Sequence, residues 1–133
     1  MTATTETITV DQFIARPPER VWAALVDPEQ LANWWVPGDI APIVGHKFFL
    51  EMPGWGNTPC EILEVDEPRR LVYTFADWTL TWRLVAEGSG TRLFLDHSGF
   101  DLANPQHKFG YEHMGPGWRD EVLPRLASLV ESA

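Results

Sequence analysis

From Thr5 to Ala15 the apolar residues Ile8, Val10 and Ile14 fall at even positions between polar neighbours. This is the period-two pattern of a strand with one buried face. Arg16-Pro17-Pro18-Glu19 ends that strand, and behind the prolines, which a first helical turn tolerates, Val21, Trp22, Leu25 and Val26 recur at helical spacing. Asp27-Pro28-Glu29 repeats a helix start with Asp27 as N-cap, and the second short helix reaches Asn33-Trp34-Trp35 before Pro37-Gly38 stops it. The two helices should form a helical corner.

The period then returns to two. His46 to Met52, Cys60 to Asp66, Leu71 to Phe75, Thr79 to Ala86 and Thr91 to Ser98 read as strands of an antiparallel meander. Glu87-Gly88-Ser89-Gly90 is the clearest hairpin, and Pro68 in Asp66-Glu67-Pro68-Arg69-Arg70 forbids continuing the ladder. Met52 to Asn57 reads as a longer Gly-rich loop displaying Trp55, placed to guard a pocket mouth. Phe100 to Pro105 reads as irregular and Trp78 as part of a turn. From Gln106 to Ala133 helical spacing resumes, with Trp118, Val122, Leu126, Leu129 and Val130 on one stripe and Pro124 expected to bend the helix. The sum is an α+β architecture, a curved antiparallel sheet of about six strands with a long C-terminal helix lying across it.

Length places the chain, at 133 residues, within the range of one domain. Seven tryptophans are more than a minimal core needs, since each buries ~150 to 250 Å². Some are therefore expected to line a cavity. A net charge of −9, with basic residues scattered, opposes binding to nucleic acid. No apolar run is long enough for a membrane span, and Met1 to Thr7 has neither the basic start nor the apolar stretch of a secretory signal. A cytoplasmic location is the default expectation. The lone Cys60 suits a reducing compartment and reads as a small buried hydrophobe without a catalytic role.

Ala15-Arg16-Pro17-Pro18-Glu19-Arg20-Val21-Trp22 followed by Asp27-Pro28-Glu29-Gln30-Leu31-Ala32-Asn33-Trp34-Trp35 resembles the opening of the START-like (SRPBCC) branch named after the activator of heat-shock protein 90 ATPase. Pro68 to Phe75, Gly90 to Leu93, His97 to Phe100 and Gly117-Trp118 match that branch in order. The resemblance covers nearly the whole chain and implies a helix-grip (Bet v-like) fold. It implies functions ranging over ligand binding, cyclase-like catalysis and co-chaperone work in the stress response. The chain shows no extra N-terminal domain of the kind eukaryotic chaperone activators carry, so an ATPase-activating role is not expected of it.

If the sheet is concave toward the long helix, strand parity places Phe48 and Leu50, Tyr73 and Phe75, Leu80 and Trp82, and Leu93, Leu95 and His97 each on one face. In the implied fold Trp34, Trp35 and Trp118 converge near the open end of the grip. The expected ligand-binding set is Trp34, Trp35, Phe48, Leu50, Trp55, Tyr73, Phe75, Trp82, Leu95, His97 and Trp118. His97 is its polar member, fit to position a ligand hydroxyl or carboxylate or to act as a base near its ordinary pKa of ~6.5. Asp96 points to the other face. Glu61 enters the cavity if Leu63 and Val65 face inward, and lies on the surface if Cys60 and Ile62 do.

His107 and His113 do not share a helical face, and no cysteine pair or three-ligand cluster accompanies them, so neither a metal nor a cofactor is expected. Nucleophile-elbow and phosphate-cradling patterns are lacking, and no catalytic residue is assigned. The first reading is therefore binding of a small apolar or amphipathic molecule in a cavity between sheet and helix. The second is a cyclase- or hydratase-type enzyme using His97 or Glu61 for proton transfer. The third is a co-chaperone-like module that presents Trp34, Trp35 and Trp55 to a chaperone or to a second copy in a homodimer.

Overall fold

The computed structural model describes residues 5–132; the expected helix end at Ala133 and the first four residues of the Met1 to Thr7 segment lie outside them. Strand β1 (Thr5–Ile14) is followed by α1 (Pro18–Val26) and α2 (Pro28–Trp34), then by β2 (Lys47–Met52), β3 (Gly56–Asp66), β4 (Arg70–Phe75), β5 (Trp78–Glu87) and β6 (Gly90–Asp101). The chain closes with α3 (Pro105–Gly117), a π-helical turn (Trp118–Val122) and α4 (Leu123–Ser132), which run on without a break. All strand pairs are antiparallel, in the order β1-β6-β5-β4-β3-β2. The helical corner thus carries the chain from one sheet edge to the other.

Local chemistry explains these boundaries. The Asp27 side chain accepts from Glu29 N at 3.0 Å and that of Asn104 from Gln106 N at 2.9 Å, each just ahead of a proline at the first helical position. Alternation along the strands buries Phe48 and Leu50 on β2, Cys60 and Ile62 on β3, Tyr73 and Phe75 on β4, Leu80, Trp82 and Leu84 on β5, and Leu93, Leu95 and His97 on β6. The opposite face is polar, with Arg92 bridging Asp11 at 3.0 Å and Glu87 at 2.9 Å.

Several boundaries differ from the pattern reading, and each has a local cause. The segment after Met52 is not a long loop: Met52 pairs with Gly56, leaving Pro53-Gly54-Trp55 as a three-residue hairpin with Gly54 at φ +81°. Trp78 is not in a turn but opens β5, paired with Phe75 across Ala76-Asp77, where Ala76 takes φ +55°. Strand β6 continues past Ser98 to Asp101. Gly99, at φ +97°, is an extra residue opposite the Glu6/Thr7 step, and this bulge flips the parity so that His97 and Phe100 both face inward.

Pro124 has no N–H, and its ring conflicts with the carbonyl four residues back in an α-helix. Here the turn before it widens, with Leu123 N donating to Trp118 O in the π pattern. The helix therefore passes the proline, and Gly117, Trp118 and Val122 sit in and beside the widened turn.

Candidate functional site

The aromatic side chains fall into two layers. In the inner layer Trp34, Tyr73 and Trp82 are completely enclosed. Trp34 packs edge-on to Trp82 at 5.8 Å and donates through Nε1 to Ala24 O at 2.8 Å, while Trp82 Nε1 donates to the Tyr73 hydroxyl at 3.1 Å. Burial pushes the Tyr73 phenol well above its ordinary range. Leu50 and Leu95 are equally enclosed, and Phe48 packs edge-on to Tyr73 at 5.5 Å. Expected to line a cavity, Trp34, Leu50, Tyr73, Trp82 and Leu95 instead fill the interior, because their rings and branches meet one another across the sheet and corner. Phe48 borders a separate depression of about 290 Å³ beside β2 and β3.

The outer layer surrounds open space. Trp35, just past α2, lies 4.9 Å from Trp118 and 5.5 Å from Phe75, and Phe75 packs edge-on to His97 at 5.7 Å. These four residues, with Met52, Met114, Gly117 and Val122, line an apolar recess of about 150 Å³ where the C-terminal helix crosses the sheet end. A second recess of about 200 Å³ adjoins it and shares Met52, Phe75 and Met114. Trp55 stands on its rim, two-thirds exposed, together with Thr58, Asp77, Trp78 and Gln106. Neither recess is lined by a lysine or arginine, and Asp77 is the only carboxylate.

His97 has no access to solvent, and its Nδ1 accepts from Trp118 Nε1 at 3.0 Å. Burial holds its pKa down at about 3, so the ring is neutral at physiological pH and a poor base. Among the described residues Nε2 has no partner, and neither has Nε1 of Trp78. Among the described residues no carboxylate is bonded to His97. Glu61 is not its partner, since Cys60 and Ile62 take the inward positions of β3 and Glu61 lies on the other face with its backbone N–H on Thr74 Oγ1 at 2.9 Å. Asp96 likewise faces outward, where it accepts from Thr9 Oγ1 at 3.0 Å. The proton-transfer pair of the catalytic reading is not assembled.

An exposed patch of Trp34, Trp35 and Trp55 is not formed either, because Trp34 is drawn wholly into the core and Trp35 is stacked on it at 5.8 Å. Cys60 is buried as expected, and desolvation pushes its thiol up to about 12. Since the thiolate is the reactive form, iodoacetamide at pH 8 should leave folded protein unmodified and alkylate it in denaturant. Mass spectrometry reads the outcome, and rapid labelling without denaturant would contradict this burial.

Met52, Met114, Gly117 and Val122 border the site outside the expected set. Met114 lies four residues before Trp118 and eight before Val122, which extends the expected stripe back along the helix. Trp78 shares strand parity with Leu80 and Trp82, which could have placed it. His107 had no such signal: its Nδ1 accepts from Asp101 N at 3.1 Å and its Nε2 meets Asp77 Oδ2 at 3.3 Å, tying the start of α3 to the β4–β5 turn. A larger depression of about 480 Å³ lies beside the β3–β4 turn at the other end of β4, bordered by Glu19, Asp27 and Glu67. It is separate from the grip.

A six-stranded antiparallel sheet wrapped on a C-terminal helix, after a two-helix corner, defines a helix-grip protein of the START-like (SRPBCC) type. The chain belongs to the family described as Activator of Hsp90 ATPase homolog 1-like protein, whose sequence model matches residues 15–131. Among solved structures it is similar to BH1534 from Bacillus halodurans, with 32% identity, TM-score 0.85, and 98% of this chain and 100% of that one covered. MLL2253 from Mesorhizobium loti has 30% identity, TM-score 0.79 and coverage of 96% and 95%. CalU16 from Micromonospora echinospora has 28% identity, TM-score 0.72 and coverage of 95% and 76%. No curated protein matches the chain. Proteins of this fold commonly bind hydrophobic ligands. Among the described residues no helix is long and apolar enough to cross a membrane.

Proposed function

We propose that the protein binds a small apolar or amphipathic molecule in the paired recesses between the sheet end and the C-terminal helix. The observation that carries this reading is an apolar opening walled by Trp35, Phe75, Trp118 and two methionines, beside the enclosed layer of Trp34, Tyr73 and Trp82. Such concave, mostly apolar sites with few polar groups are the usual form of a small-molecule pocket. Flexible methionines let the wall adapt to ligand shape. Met52 and Met114 stand between the two recesses, so their rotamers set whether a ligand occupies one or both. On this reading Trp35, Phe75 and Trp118 contact the ligand directly, His97 is reached as the flexible methionines give way, and Trp55 covers the entrance.

Gly117 provides a test that leaves the core intact. It has ordinary helical dihedrals, φ −61° and ψ −46°, and an added Cβ would meet no atom within 4 Å. Replacing it with leucine removes the helix penalty of glycine, about 1 kcal/mol, and fills the inner recess. Gly117→Leu should therefore match or exceed the parent protein in urea stability while losing the thermal shifts that a panel of apolar ring compounds gives the parent. A variant that is stable and still shifts with the same compounds would place binding elsewhere.

A further inference from the structure

We propose that Trp118 and His97 form a specificity device that selects neutral ligands carrying an acceptor oxygen, with His97 Nε2–H as the reading group and Trp118 as the positioning residue. This rests on the recess being the binding site. A tryptophan Nε1–H only donates, so the His97 Nδ1 that it meets at 3.0 Å must be an acceptor. In a neutral imidazole the single proton is then on Nε2. That nitrogen is buried and unpartnered, and so is Trp78 Nε1, on a ring that packs edge-on to His97 at 5.5 Å. His97 borders the inner recess and Trp78 the adjoining one. His97 is sealed from solvent, so a ligand oxygen reaches Nε2–H only as the flexible Met52 and Met114 side chains give way, and it then meets a donor with no free oxygen or nitrogen acceptor among the recess side chains.

The surroundings sharpen the choice. Phe75, Trp78, Phe100 and Trp118 enclose the His97 ring, and none of them carries a charge. A buried carboxylate would find no cation in the walls and would face the field of Asp77, so an anion is disfavoured. An alcohol can accept from Nε2–H but leaves its own hydroxyl proton unpaired among the rings. A ketone, quinone, ester or ether oxygen satisfies the donor and introduces none. The inner volume of about 150 Å³ takes one ring, since an apolar cavity of roughly that size takes a benzene, and the adjoining recess of about 200 Å³ takes a second ring fused to it.

The test uses the intact protein and a matched series on one bicyclic frame: 1-tetralone, 1,2,3,4-tetrahydro-1-naphthol, tetralin and 1,2,3,4-tetrahydro-1-naphthoate, titrated by calorimetry at pH 7. The tetralone should bind about tenfold more tightly than tetralin, with the alcohol between them and the carboxylate weakest. His97→Phe should close the gap by weakening tetralone while sparing tetralin. Equal binding of tetralone and tetralin to the parent protein overturns the device and leaves the recess reading standing. Binding of none of the four overturns the recess reading. A separate measurement needs no ligand: long-range ¹H–¹⁵N NMR of the unliganded protein should show His97 protonated on Nε2 alone, and Trp118→Phe should mix the tautomers. Protonation on Nδ1 in the parent, or an unchanged tautomer in Trp118→Phe, overturns the role assigned to Trp118.

Discussion

Trp34→Ala is expected to lower the unfolding free energy by about 3–5 kcal/mol, the range for removing a large aromatic side chain from a closed core. Trp34 is fully enclosed, so its loss opens a void between α2 and the sheet that Trp35 and Trp82, each 5.8 Å away, cannot fill without leaving their own contacts. The substitution also removes the Nε1–H that the Ala24 carbonyl accepts at 2.8 Å. For a chain of this size the loss corresponds to a fall in Tm of roughly 10–20 °C. Urea titrations should show the shift in midpoint with an unchanged m-value. Trp35→Ala should cost much less stability, because Trp35 is only half-buried, yet weaken ligand binding more. If the two substitutions cost the same, the division into a filled inner layer and an open outer layer is wrong.

That division marks where pattern reading stops. Alternation, proline placement and the Asp27 cap are local signals, and they suffice for the strands, the helical corner and the order of elements. Strand parity also puts Trp82, Leu95 and His97 on the inner face, where they are. Parity cannot say whether an inward side chain meets another side chain or empty space, since that depends on how far α2 and the C-terminal helix stand from the sheet. Trp34 and Trp82 therefore read like pocket residues but serve as packing, while Gly117, which has no side chain to notice, borders the opening.

Other departures arise where one residue breaks the period. Gly99 adds a residue to β6, and without the bulge the alternation ends the strand at Ser98 and hides Phe100. The β4–β5 turn uses Ala76 at positive φ rather than glycine or asparagine, so nothing in the turn marks Trp78 as the start of a strand. Pro124 is a correct warning of a helix defect. The π turn takes it up without ending the helix, and the same widened turn carries Trp118 to His97.

His97 should make stability depend on pH between about 6.5 and 3, falling as the solution is acidified. Below pH 6.5 the unfolded chain takes up a proton on this ring, whereas burial among Phe75, Trp78, Phe100 and Trp118 keeps the folded ring neutral down to about pH 3. Protons then favour the unfolded state, so the contribution is whole above pH 6.5 and is lost progressively below it. At about 1.4 kcal/mol per unit, roughly 2 kcal/mol is gone by pH 5. His97→Phe keeps an apolar ring of similar size and removes the titration, while the carboxylates that also respond to acid are common to both proteins. The expected result is that the parent loses about 2 kcal/mol more than His97→Phe between pH 7 and pH 5, measured by urea unfolding at both values. Parallel pH profiles would mean that His97 accepts a proton in the folded state. In that case a buried cation would stand in the recess, and its preference would turn from neutral acceptors toward anions.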